Sequence, residues 1–409
     1  MTNRTMHPSP GRGPVSAPGK ALLRQNIVDM PAQLIGEVSR LGIGQEGIIP
    51  LWYGETDVPT PAFICEAANQ AMSAGETFYT HKLGLPELRQ ALADYMTGLY
   101  AKPVAMERVS VTTSGMSAIM QALMAILNAG DNMVLVDPVW PNCEQSALAM
   151  GASVTRVSLG QSNGVWRLDV ERLRDACTAD TRVIFLNSPG NPTGWMIEQD
   201  QQQRILDFAR ERGIWIVADE VYARLVYDRP VAPSFLDIAE PDDPVIVINS
   251  FSKSWAMTGW RVGWMTTPEW VTDALFSLIE YNTSCVPPFL QKGALAAVTQ
   301  GEPFVAEMVA RCRAGREAIV PALQALPGVK IDPPRAAFYA FFQVEGVTDS
   351  LTFAQDLFRQ TKVGIAPGRA FGDGGEGWMR LCFAQDPATL ATAAERIGNF
   401  IESYRAQAA

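Results

Sequence analysis

Histidine is almost missing from this chain: among 409 residues the only two are His7 and His81. A histidine-based metal centre or a Ser-His-Asp triad therefore has almost nothing to be built from. The six cysteines, Cys65, Cys143, Cys177, Cys285, Cys312 and Cys382, are scattered, with no CxxC pair and no zinc-like spacing. They read as free, mostly buried thiols in a reducing cytoplasm, and no metal is expected. Positive charge is short as well, with 33 Lys and Arg against 43 Asp and Glu and a formal net charge of −10. With no basic surplus, nucleic acid is not an expected partner. Apolar runs of about 18 residues are absent too, so no membrane span is expected. The opening MTNRTMHPSPGRGPVSAPGK has Pro, Gly and Ser but no apolar signal core. It reads as a flexible tail over 1–25, or as an arm that orders against another subunit.

What the chain does have is apolar material, 47% of its residues, enough for large cores in two lobes. From about residue 109, short β-branched runs alternate with helical patterns. VSVTT (109–113), NMVLVD (132–137), ASVTRVSL (152–159), RVIFLN (182–187), GIWIVADE (213–220) and PVIVINS (244–250) read as strands. MSAIMQALMAILNAG (116–130) reads as a helix closed by Gly130, EQSALAMG (144–151) as another, and a third lies near QQQRILDFARERG (201–213). Near-continuous apolar strands between helices predict an α/β fold with a mostly parallel central sheet sandwiched by helices. Beyond about residue 300 the texture changes to long helices around FYAFFQV (338–344) and WMRLCFA (378–384), a smaller α/β domain. The expected organisation is a tail (1–25), a segment joining the small domain (26–55), a large domain (56–300) and a small C-terminal domain (301–409).

In such sheets ligands gather at the carboxyl ends of the strands. Three stretches sit there: NSPGNPTG (187–194), VADEVY (217–222) and SFSKSWAMTGWR (250–261). Asp219, ending an apolar strand, needs a partner for its charge, and Tyr222 follows it by one turn. Lys253 after another buried strand resists a surface explanation, because desolvation makes an amine a nucleophile toward carbonyls. Ser250, Ser252 and Arg261 around it offer hydroxyls and a guanidinium fork to a phosphate. Ser114, Gly115 and Met116, at the start of a helix, add backbone N–H groups and the positive end of a dipole. An amine for an aldehyde, donors for a phosphate and an acid for a ring nitrogen together suit pyridoxal 5′-phosphate (PLP).

These motifs, in this order, resemble those of the class I/II aminotransferases, PLP enzymes of fold type I similar to aspartate aminotransferase. YTHKLGLPELRQAL (79–92), TTSGMSAIMQAL (112–123), DPVWPNC (137–143), PGRAFGDGGEGWMRLCFA (367–384) and WYGETDVPTP (52–61) resemble family blocks too, so the likeness runs from about 26 to 403. The resemblance implies that Lys253 carries the cofactor as a Schiff base and moves the proton. It implies that Asp219 pairs with the ring nitrogen, that Asn191 and Tyr222 bond the ring oxygen, and that Trp140 stacks on the ring. Ser250, Arg261, Gly115 and Met116 would hold the phosphate, with Ser252 assisting. Tyr79 would reach the phosphate of a neighbouring subunit, making a homodimer with shared active sites. Arg380 would grip the substrate α-carboxylate, with Gly54 and Asn191 also on the substrate's side.

The chain departs from the family's pattern in two places. Ala336-Ala337-Phe338-Tyr339 stands where relatives commonly have Gly-Ala-Phe-Tyr, and Met116 stands where a small or hydroxylated residue is usual. YNTSCVPPF (281–289), where dicarboxylate-specific relatives often supply a second clamp, has no arginine. The expected reaction is therefore ping-pong transfer of an amino group from a neutral or aromatic L-amino acid to a 2-oxo acid. The alternative is a carbon–sulfur β-lyase, which needs the same lysine and ring. A transcription regulator would need a DNA-binding module before the match. Gly372–Gly377 (GDGGEG) fits G-x-G-x-x-G, yet a strand pattern rather than a helix follows it, so it reads as a turn.

Overall fold

The computed structural model describes residues 23–162 and 165–408. The expected tail falls mainly on residues 1–22, outside that range. The chain divides between Ala32 and Gln33 into two units. The first contains a single described helical turn, Gln25–Val28.

In the second unit, seven strands form one sheet: β1 (Val109–Thr112), β2 (Asn132–Asp137), β3 (Ser153–Ser158), β4 (Thr181–Asn187), β5 (Trp215–Asp219), β6 (Val245–Ser250) and β7 (Gly263–Thr266). Their order across the sheet is β1-β7-β6-β5-β4-β2-β3. β7 runs antiparallel to both its neighbours; the other pairs are parallel. Every residue of β1, β2, β6 and β7 is buried, as expected of strands covered on both faces. β7 was not anticipated, since four residues containing Gly and Trp carry no clear strand pattern. Its reversed direction matters for the site: its first residue, Gly263, lies beside Thr112 and Ser250, the last residues of β1 and β6.

The helix after β1 is α1 (Gly115–Ile126), shorter at its C-terminal end than the expected 116–130. It stops because Leu127 turns extended and Asp131 accepts from the Asn128 backbone N–H at 2.7 Å, a local bond that competes with another helical turn. Gly130 sits beyond the helix in a left-handed turn, φ 93°.

A second sheet is antiparallel throughout: β8 (Val329–Ile331), β9 (Tyr339–Val344), β10 (Ala366–Pro367) and β11 (Trp378–Cys382), in the order β8-β9-β11-β10. Cross-strand partners set its register, Tyr339 opposite Cys382 and Phe341 opposite Arg380. Ile49 and Pro50 pair in parallel with Val363 and Gly364, tying the early chain to this part of the fold. Phe341 stacks on Trp378 with ring centroids 5.0 Å apart. Gly372–Gly377 forms a turn that leads directly into β11.

Among the described residues all six cysteines are free, with Cys143, Cys177, Cys312 and Cys382 buried. No described helix is long and apolar enough to cross a membrane, and no described cluster has the makings of a metal site.

Candidate active site

β4, β5 and β6 run parallel, with Asn187 opposite Asp219 and Asp219 opposite Ile248, two residues before Ser250, so the three strands end at the same side of the sheet. A cavity of about 240 Å³ opens there. It is lined by Asn187, Asn191, Asp219, Tyr222, Ser250, Ser252, Lys253 and Arg261 from the strand ends and the loops after them. Gly115, Met116 and Trp140 come from the turns beyond β1 and β2, and Gly54, Tyr339 and Arg380 complete the wall. Of the fourteen residues singled out in the sequence (Gly54, Tyr79, Ser114, Gly115, Met116, Trp140, Asn191, Asp219, Tyr222, Ser250, Ser252, Lys253, Arg261, Arg380), all but Tyr79 and Ser114 therefore line one space.

Two ionisable groups lie in it, Asp219 buried and Lys253 partly buried. The Lys253 ammonium donates to the Gly54 carbonyl at 2.6 Å and sits 5.8 Å from the centres of the Tyr222 and Phe338 rings. Burial pushes its pKa down to about 8, with the positive charges of Arg380 and Arg261 acting in the same direction. Asp219 accepts from the Val221 backbone N–H at 3.3 Å and has no ion-pair partner among the described residues. Burial pushes its carboxyl up to about 7, a cost that a cationic donor in the cavity would relieve.

At the other end the donors converge. The Ser250 hydroxyl donates to Ser252 Oγ at 2.9 Å and accepts from the Ser252 N–H at 3.2 Å. Arg261 is held in a left-handed turn, φ 56°, and donates to the Thr258 carbonyl at 2.7 Å. The start of α1 is pressed against β7: a Cβ on Gly263 would lie 2.6 Å from Gly115 N, so only glycine fits there. This brings the free N–H groups of the first helical turn to the cavity. Ser114 is spent as the helix cap, accepting from the Ser117 N–H at 3.1 Å with φ 125°, and does not line the cavity. Tyr79 is 83% exposed, away from this cavity.

Arg380 is 2% exposed, yet no carboxylate among the described residues pairs with it. It donates to Asn191 Oδ1 at 3.1 Å and to the Trp52 carbonyl, and its guanidinium lies 4.6 Å from the centre of the Tyr339 ring. Its Nε has no partner. A buried cation with an unmet donor, facing a cavity, is suited to an incoming carboxylate. Trp140 donates its backbone N–H to the Asn191 carbonyl at 3.0 Å, which joins the two loops.

Sequence reasoning missed Asn187, Tyr339 and the wall of Gln33, Ile35, Tyr53, Ile119 and Val221. Asn187 had a signal, since it is the first polar residue after an apolar strand and opens NSPGNPTG. Tyr339 was noticed only inside an altered quartet, and the rest have no signal short of the fold.

Residues 46–397 match the family described as Aminotransferase class I and II. The chain belongs to that family. This aminotransferase is 34% identical over 358 residues to aspartate aminotransferase of Thermotoga maritima, covering 88% of this chain and 92% of that one. It is 32% identical to aromatic-amino-acid aminotransferase 2 of Thermococcus litoralis over 373 residues, 89% and 94% of the two chains. Among solved structures, the aspartate aminotransferase of Thermotoga maritima aligns with a TM-score of 0.85 at 32% identity, over 93% of this aminotransferase and all of that chain. The aromatic aminotransferase of Pyrococcus horikoshii aligns with a TM-score of 0.83 at 28% identity, over 91% and 99%. The fold is thus the fold type I transferase fold, and the family is PLP-dependent. The residues present fit that cofactor: a buried acid lacking a cation, a desolvated lysine, and converging hydroxyl, guanidinium and helix-start donors.

Proposed function

We propose that this chain binds PLP and transfers an amino group from a neutral or aromatic L-amino acid to a 2-oxo acid in a ping-pong cycle. The observation that carries the reading is that a desolvated Lys253 and a buried Asp219 line one cavity without an ion pair to either among the described residues. Lys253 is the amine that would hold the cofactor through its aldehyde. A desolvated amine near pKa 8 is partly neutral at neutral pH, so it both attacks a carbonyl and moves a proton at the substrate Cα. When bound, the cofactor supplies a ring that accepts the electrons released there. Asp219 keeps the ring nitrogen protonated, and its own buried charge is stabilised in return. Asn191 and Tyr222 serve the ring oxygen, Trp140 the ring face, and Gly115, Met116, Ser250, Ser252 and Arg261 the phosphate. Ser114 supports that end as the helix cap, and Tyr79 serves a second subunit of a homodimer.

Arg380 takes the α-carboxylate of the amino donor, beside Gly54. Ile35, Tyr53, Met116 and Ile119 in the lining, with Lys253, Arg261 and Arg380 as its cations, support a neutral or aromatic side chain. We read 56–300 as the cofactor-binding lobe, 301–409 with 26–55 as the smaller one, and a cytoplasmic setting for the free thiols. Half-reactions test this directly. The PLP form is mixed with single amino acids, and loss of the bound aldehyde's absorbance is followed. Tyrosine, phenylalanine or alanine reacting faster than aspartate is the expected result. A preference for aspartate overturns the side-chain assignment, and release of ammonia and pyruvate from a cysteine conjugate points to the β-lyase instead.

A further inference from the structure

Tyr339 opens β9 and is wholly buried, and nothing in the roles above uses it. Its position is set by three contacts across the molecule. The preceding Ala337, in a left-handed conformation at φ 56°, donates its N–H to the Leu225 carbonyl at 2.8 Å. Tyr227 donates its hydroxyl to the Ala337 carbonyl. Val226 and Ala336 form an isolated antiparallel bridge. Together these bonds fasten the start of β9 to the segment that follows Tyr222.

The two phenol oxygens, of Tyr222 and Tyr339, lie 2.7 Å apart, with their rings at 80°. The Arg380 guanidinium lies between two aromatic rings, 4.6 Å from the centre of Tyr339 and 4.9 Å from that of Phe371. Gly54 closes off the hydroxyl of Tyr339, since a Cβ there would come to 1.9 Å. Besides Tyr222, the titratable groups facing Tyr339 are Arg380, Cys382 and Asp219.

We propose that Tyr339 is a positioning residue: its hydroxyl donates to Tyr222, which leaves the Tyr222 proton free for the cavity, and its ring holds Arg380 flat against Phe371. This rests on the reading of the site given above. The direction of the bond follows from the number of protons. Burial raises both phenols above their usual range, so each keeps its proton at neutral pH. If Tyr222 donated to Tyr339, its proton would be used up and only an acceptor would face the ring oxygen it serves. With Tyr339 as donor, both protons are used, and the accepted bond makes Tyr222 the stronger donor.

The test uses the PLP-loaded protein and the pH midpoint at which the bound chromophore changes colour. Donation to the ring oxygen favours the deprotonated chromophore, so losing it moves the midpoint up. Tyr339→Phe is expected to raise the midpoint by about 0.3 to 0.5 unit, and Tyr222→Phe by more. Tyr222→Phe with Tyr339→Phe is expected to match Tyr222→Phe alone, because Tyr339 acts through Tyr222. An unchanged midpoint in Tyr339→Phe, or shifts that add in the double variant, overturns the hydroxyl's role. The ring is tested with 3-phenylpropionate, an unreactive carboxylate. Tyr339→Leu should weaken its binding about tenfold, while Tyr339→Phe, which keeps the ring and changes the packing least, stays within about twofold. Equal weakening in both variants, or none in Tyr339→Leu, overturns the ring's role. A wild-type protein that takes up no chromophore overturns this proposal and the functional reading together; a coloured wild type with an unmoved Tyr339→Phe midpoint overturns this proposal alone.

Discussion

The two walls of the cavity are made in different ways. The wall from the seven-stranded sheet uses residues at strand ends and in the turns and helix starts beyond them, grouped in five short stretches of chain. The wall opposite is assembled from Gly54, Tyr339 and Arg380, which are far apart in sequence and meet through β9, β11 and the segment around Trp52. The first wall holds ionisable groups that lack counter-charges, as chemistry on a cofactor requires. The second holds a buried cation between rings and carbonyls, which suits recognition of a carboxylate. On the proposed reading, chemistry rests on the first and selection on the second.

Substitutions in each wall can separate them. The largest loss is expected from Lys253→Ala: at least about 10⁴-fold in transamination rate, with a folded protein that still takes up PLP noncovalently. Steady-state rates with absorbance spectra check this, and near-normal turnover would remove the chemical assignment of the first wall. Asp219→Ala comes next, with about 10³-fold lower rate and weaker PLP retention on dialysis. Arg380→Lys belongs to the second wall. It keeps the charge but loses the planar fork, so KM for the amino donor should rise about 10- to 100-fold with a much smaller change in kcat. A fall in kcat alone would place Arg380 with the first wall.

The smallest effect expected is on pH. Because burial lowers the Lys253 pKa to about 8, the neutral amine is the minority form below that pH. The rate at which the cofactor-free protein takes up PLP covalently should therefore rise about tenfold per unit as pH increases toward 8, then level off. An unshifted lysine would keep climbing toward pH 10. Stopped-flow absorbance distinguishes the two.

The same division explains what could be read from the sequence. Parallel strands buried on both faces appear as unbroken apolar runs, so β2 was located to the residue and β4, β5 and β6 to within two. The polar residues following them stood out for that reason. β7 was missed because it is short, runs against its neighbours and lies inside a stretch otherwise marked by its chemistry. Tyr339 and the residues around Ile35 escaped because their part in the site depends on contacts across hundreds of positions. Arg380 was legible in isolation, as a charge within an apolar strand. Its partners, the Trp52 carbonyl and Asn191, were not.

The pairing of β9 with β11 has a consequence for how this site tolerates change. Successive residues of a strand point to opposite sides, so Tyr339, Phe341, Arg380 and Cys382 share one face only while Tyr339 stays opposite Cys382. Losing one residue from Trp378–Cys382 would turn the guanidinium to the far side of the sheet, whatever else was kept. The turns of the connecting stretch, outside Val363–Gly364 and β10, which are themselves paired, are under no such restriction. Length there is cheap, whereas the pleat works as a ruler with steps of one residue and no slack.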